Sequence, residues 1–111
     1  MGEWRYLLIK LISDDKIQKQ AFWSAFRNVL IQIFGEYGYM QVDPKLIDYD
    51  EENLKAILKC RKKGIEIIRA SLLFLININS NPIMAYVART SGTLKKLKSY
   101  SPLLKSETGS S

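Results

Sequence analysis

Histidine is absent from the chain, and Cys60 is its only cysteine. These two absences remove much of the familiar protein chemistry. Ser-His and Cys-His pairings and the commonest general base are excluded, and the usual zinc-ligand sets cannot be assembled. A lone cysteine forms no intramolecular bridge. Long hydrophobic runs are also missing: Trp4 to Ile12 is short and contains Arg5 and Lys10, too little to span a bilayer. The N-terminus lacks the layout of a secretory signal, and no repeat is visible. The expectation is a soluble, cytoplasmic chain without membrane contact, with no catalytic residues, no metal site and no cofactor of its own.

What is present is charge of one sign. Lys and Arg number 17 against 11 Asp and Glu, a net charge of +6, which favours polyanionic partners through counterion release and steering. At 111 residues the chain is long enough for one domain that buries roughly two-thirds of its unfolded surface. Residues 1–98 are read as that domain and 99–111 as a polar, partly flexible tail.

Arg5 to Leu11 reads as a strand, with Leu7, Ile9 and Leu11 forming an apolar face and Tyr6, Leu8 and Lys10 sharing the other. Ser13-Asp14-Asp15 with Gln18 has the form of a helix N-cap. Ile17, Ala21, Phe22, Ala25, Phe26, Val29, Leu30 and Ile33 then recur at helical spacing until Gly35 stops the helix. Trp23 and Arg27, four apart, mark either a partner contact or a ring shielding its own helix flank. After an irregular stretch to Pro44, Leu46–Asp50 and Leu54–Arg61 read as a hairpin. Its second strand separates Leu54, Ala56, Leu58 and Cys60 from Lys55, Ile57, Lys59 and Arg61, so Cys60 is a small core residue rather than a nucleophile. Asp48 and Asp50 alternate like a metal pair, but beside Glu51 and Glu52 they read as a solvated hairpin end.

Arg61-Lys62-Lys63-Gly64 precedes a second helix, Ile65 to Ile76, whose Leu72 to Ile76 stretch has no solvent face. Cations at a helix start oppose the dipole unless an anion joins them, so these three side chains either hold phosphate or extend into water. Asn77 to Pro82 is a turn, and Ile83 to Thr90 a last strand with Met84, Tyr86 and Ala88 opposite Ile83, Ala85 and Val87. Arg89-Thr90-Ser91-Gly92-Thr93-Leu94-Lys95-Lys96-Leu97 then joins a small-residue turn to a lysine-rich segment. One reading is a phosphate cradle reinforced by the lysines; the other is a solvated helix start with Ser91 or Thr93 as N-cap.

Strand, helix, strand, strand, helix, strand is the split βαβ order of ferredoxin-like and RNA-recognition modules: an α+β sandwich with two helices on one face of a four-stranded antiparallel sheet, here followed by a basic C-terminal segment. One sheet face stays open. The third strand lacks the aromatic-glycine pattern that stacks bases in RNA-recognition modules and the first strand offers only Tyr6, so sequence-specific base stacking is not expected. Tyr6, Leu8, Ile57 and Tyr86 on the open face, with Leu73 and Phe74, are candidates for a protein interface of at least ~1,000 Å². Alternatively the C-terminal segment folds back as a third helix, laying Leu94, Leu97, Leu103 and Leu104 over part of the sheet.

Five segments carry a family resemblance: R-Y-L-L-I-K at Arg5–Lys10, F-G-E-Y-G at Phe34–Gly38, I-D-Y-D at Ile47–Asp50, L-K-C-R at Leu58–Arg61, and R-T-S-G-T-L-K-K-L at Arg89–Leu97. In this order the chain resembles the archaeal ribonuclease P protein component 2 family, counterpart of a small eukaryotic ribonuclease P/MRP subunit. The resemblance implies a protein subunit of the ribonucleoprotein that removes the 5′ leader from precursor tRNA. The RNA subunit would hold Mg²⁺ and perform the hydrolysis. The implied partners are that RNA, precursor tRNA through the complex, protein component 3, and a second copy of the chain. The RNA-binding candidates are Arg61, Lys62, Lys63, Arg89, Ser91, Gly92, Thr93, Lys95 and Lys96. A stand-alone RNA- or DNA-binding module and a pure assembly protein are the competing classes.

Overall fold

The computed structural model describes residues 3–98, and the expectations for the 99–111 tail lie outside them. Strand β1 (Trp4–Ile12) leads through an irregular segment into helix α1 (Lys19–Val42). Strands β2 (Lys45–Asp50) and β3 (Lys55–Arg61) form the hairpin. A 3₁₀ turn (Lys62–Gly64) opens helix α2 (Ile65–Leu73), the short strands β4 (Asn77–Ile78) and β5 (Asn81–Pro82) follow, and β6 (Met84–Ser91) leads to helix α3 (Leu94–Lys98). The main sheet has the order β2-β3-β1-β6 with every neighbour antiparallel. This is the expected split βαβ arrangement, with β1 and β3 central.

The core lies between the sheet and the two long helices. Leu7, Ile9, Ala56, Leu58 and Cys60 from the sheet meet Phe22, Phe26 and Leu30 of α1 and Ile68 and Leu72 of α2. The Phe22 ring stacks on Phe26 (6.1 Å) and on Tyr49 (5.5 Å). Trp23 stacks on Phe26 of its own helix at 5.8 Å, with the Arg27 guanidinium 5.6 Å from its ring. The ring-shielding reading thus describes its contacts within the chain.

Four expectations change. Ser13 does not cap α1: its Oγ accepts the Asp15 N–H (3.1 Å), and the helix begins at Lys19 with no side-chain cap. Ile17 is the reason. Its side chain is buried in the core and its carbonyl accepts the Tyr49 hydroxyl, which holds this stretch out of the helix.

Gly35 interrupts α1 without ending it. Its backbone (φ 75°, ψ 177°) lies where only glycine sits comfortably. The chain then resumes helix to Val42, because Gly38 and Val42 are buried. Asp43 closes the helix in the left-handed region, its N–H donating to the Tyr39 carbonyl at 2.8 Å. Gly64 packs so closely here that an added Cβ would stand 2.8 Å from Val42 Cα.

Helix α2 ends at Leu73 rather than Ile76. Leu72 and Leu75 turn into the core, and Leu73, Phe74 and Ile76 stay 76%, 62% and 65% exposed. This apolar stretch is therefore not covered within the described residues. Asn79 and Ser80, both at positive φ, make the two-residue turn between β4 and β5.

The outer sheet face is not wholly open. Leu97 of α3, itself wholly buried, packs on Leu8 and Ile57, with Tyr6, Ala88 and Leu94 around them. The fold-back alternative therefore holds for Leu94 and Leu97, while Leu103 and Leu104 lie outside the described residues.

Candidate nucleic-acid interface

Alternation along a strand decides faces only while the ladder stays in register. Between β1 and β6 it does not: Leu8 pairs with Arg89 and Ile9 with Val87, so Ala88 is an extra residue in β6. A bulge of this kind reverses which face the following residues take. Strict alternation would have sent Arg89 and Ser91 to the helix side with Val87. The bulge puts Arg89 opposite Leu8 and Ser91 opposite Tyr6 on the outer face.

One row then crosses the whole sheet. Lys45 pairs with Lys59, Lys59 with Tyr6, and Tyr6 with Ser91. Beside it, Trp4 pairs with Arg61. Three cations gather on the Trp4 ring: Lys59 Nζ and the Arg61 guanidinium each 4.8 Å from its centroid, and Lys45 Nζ 5.9 Å away. Lys59 also lies 5.9 Å from the Tyr6 ring. Each such contact is worth about 0.5–1 kcal/mol at an exposed site. That attraction offsets the cost of placing Lys45 directly opposite Lys59, and Asp43, 3.4 Å from Lys45, helps.

On the other side of the same strand end, Arg5, Thr90, Ser91, Gly92 and Lys96 line a cavity of about 250 Å³. The turn that shapes it is satisfied internally. Ser91 Oγ accepts the Thr93 N–H (3.2 Å), and Thr93 Oγ1 accepts the Lys96 N–H (3.1 Å). Thr93 is thus the N-cap of α3, one of the two readings of this turn. Any anion here would rest on Arg5 and Lys96 more than on backbone donors. Lys95 is exposed on the same short helix.

Arg61 ends β3, and Lys62 and Lys63 project from the 3₁₀ turn that follows. The Lys62 N–H donates to the Glu3 carbonyl at 2.6 Å, which fixes this turn against the start of β1. The two basic segments singled out from sequence, Arg61–Lys63 and Arg89–Lys96, therefore flank one strand end. Arg5, Trp4, Lys45 and Lys59 join them. Lys59 was already legible on the basic face of its strand; the Trp4 contacts depend on register between strands and had no local signal.

The opposite end of the sheet is acidic. Asp14 and Asp15 follow β1, and Glu51 and Glu52 tip the hairpin, bound to β1 through the Leu11 N–H on the Leu54 carbonyl (2.9 Å). Lys16 pairs with Glu52 at 2.8 Å, which raises its pKa. Asp50 accepts the Asn53 N–H and Nδ2, and Asp48 accepts the Tyr49 N–H. Both act as hairpin-end acceptors, and no metal-holding group of three or more His, Cys, Asp or Glu occurs among the described residues. Burial pushes the Cys60 thiol up to about 11, so it stays protonated at neutral pH and is no nucleophile.

Of the residues expected at a protein interface, Leu73 and Phe74 are exposed and Tyr86 is 44% exposed; Tyr6 is half-buried against the outer cluster. Leu8 and Ile57 are buried under Leu97, which removes them as exposed contact residues.

A model of the Rpp14/Pop5 family matches residues 5–101. The chain belongs to that family. Two archaeal relatives named ribonuclease P protein component 2 agree. The one from Pyrococcus furiosus is 32% identical over 85% of this chain and 78% of its own length. That from Saccharolobus solfataricus is 32% identical over 85% of this chain and 66% of its own length, just under two-thirds. A chain in a cryo-EM structure of yeast ribonuclease MRP superposes with a TM-score of 0.69 at 15% identity, covering 100% of this chain and 98% of that one; it supports the fold. In this Rpp14/Pop5 family member no described helix is long and apolar enough to cross a membrane.

Proposed function

We propose that this chain is a protein subunit of ribonuclease P, the ribonucleoprotein that removes the 5′ leader from precursor tRNA. It acts by binding RNA and partner proteins rather than by catalysis. The observation that carries the reading is the meeting of Arg61–Lys63 and Arg89–Lys96 at one strand end, in a member of a family whose archaeal relatives are named ribonuclease P protein component 2. Hydrolysis and its Mg²⁺ belong to the RNA subunit. The absence of histidine and the high pKa of Cys60 support a protein with no imidazole base or thiol nucleophile of its own. Protein component 3 or a second copy of the chain binds the exposed Leu73, Phe74 and Ile76. The complex works in the cytoplasm.

The test is capture of the tagged full chain from its native extract, with sequencing of the RNA that co-purifies. Enrichment of ribonuclease P RNA and of component 3 is expected. Recovery of neither, or cleavage of precursor tRNA by the protein alone after all RNA has been removed, would overturn the assignment.

A further inference from the structure

We infer that the outer face at the Trp4 end takes an unpaired ribonucleotide, with the Trp4 indole as stacking surface and Lys45, Lys59 and Arg61 as phosphate contacts. This rests on the ribonuclease P reading and deepens it by naming the form of RNA that this face binds. Three cations within 6 Å of one ring, two of them paired across strands, form a cluster that an arriving anion relaxes. A double helix brings phosphates but keeps its bases stacked inside, leaving the indole unused. A single strand brings both: its base competes for the ring, where stacking is the stronger contact, and the displaced cation turns to the phosphate. Across the same end of the sheet, past the half-buried Tyr6 and the buried Ser91, lies the cavity lined by Arg5 and Lys96. From β3 to β6 is two strand spacings, about 10 Å, a span that neighbouring nucleotides of one strand can bridge.

The chain has two tryptophans, so Trp23→Phe leaves Trp4 as the only reporter. The full chain with this substitution is titrated with a dye-labelled, unstructured RNA of about 12 nucleotides, and the dye's anisotropy and the Trp4 emission are followed together. Trp4 emission is expected to be quenched with the same midpoint as the anisotropy, and a hairpin duplex of equal charge is expected to leave it unchanged. Trp4→Leu weakens binding of the single strand about tenfold without changing the salt slope, and Trp4→Phe restores most of it. Lys59→Ala lowers the slope by about one, and this variant keeps the question open to measurement if Trp4→Leu fails to fold. Binding that leaves Trp4 emission unmoved, or equal quenching by the duplex or by an acidic peptide, overturns this site and leaves the ribonuclease P reading standing. If ribonuclease P RNA also fails to co-purify with the chain, both fall.

Discussion

Two cross-strand lysine pairs sit at opposite ends of one sheet, Lys45 with Lys59 and Lys10 with Lys55. Like charges directly opposite each other cost stability at both places. At the Lys10 end the chain supplies the answer itself: Asp50 pairs with Lys55, and Glu51 and Glu52 follow in the hairpin. At the Lys45 end the answer is an aromatic ring, with Arg61 adding a further cation and Asp43 reaching only Lys45. One end is neutralised within the fold, and the other keeps an excess of positive charge around a single ring. Net charge of +6 does not reveal this division; its distribution over the strands does.

The largest effect is expected from removing the core beneath both ends. Leu58→Ala, at a fully buried position of β3, should cost about 2–5 kcal/mol, read as a lower denaturant midpoint at unchanged slope.

Reversing charge at each end in turn separates the local cluster from the net charge. Lys59→Glu with Lys96→Glu is expected to lower affinity for single-stranded RNA on the order of a hundredfold. Lys10→Glu with Lys16→Glu, an equal change of charge at the acidic end, should lower it no more than about threefold through the general field. Equal losses from the two pairs would mean that only net charge matters.

Leu97→Ala removes the roof over Leu8 and Ile57. About 2 kcal/mol is expected, the low end for a buried leucine because α3 is short and its site can collapse, together with increased binding of a hydrophobic dye. Lys62→Ala with Lys63→Ala acts on exposed side chains, so stability should change by less than about 0.5 kcal/mol. The salt slope of RNA binding should fall by roughly one unit for each phosphate that the two lysines neutralise in the native chain; an unchanged slope would assign both lysines to solvent.

The smallest effect belongs to the acidic end. Burial, and then the charges of Glu51 and Asp50, push the Tyr49 hydroxyl up to about 12 from its ordinary 10.0. The folded state therefore holds this proton more tightly than the unfolded one. Its contribution to stability is fully present below pH 10 and is lost as the pH rises toward 12. Glu51→Gln should lower the pKa slightly, as read from phenolate absorbance, while Glu3→Gln at the other end should not.

The fold was legible where its signals are local. Period-two alternation in β1 and β3 separates Leu7, Ile9, Ala56, Leu58 and Cys60 from Tyr6, Leu8, Ile57 and Lys59, and the order of elements then leaves few topologies open. The basic segments at Arg61–Lys63 and Arg89–Lys96 were equally plain from residue type. Signals that depend on competition misled. Ser13 offered a cap that the burial of Ile17 overrode, and Gly35 offered a stop that the packing of Gly38 and Val42 carried past.

By itself, then, the amino-acid order determined which residues are apolar or basic and which share a face of their own strand, because alternation is a property of one strand's backbone. It also excluded histidine-based chemistry outright. Only the tertiary structure decided that Trp4 collects Lys45, Lys59 and Arg61 from two other strands, that α3 folds back over Leu8 and Ile57, and that one bulge at Ala88 turns Arg89 and Ser91 onto the outer face. Register between strands is set by packing across the whole sheet, and one inserted residue reverses every face after it.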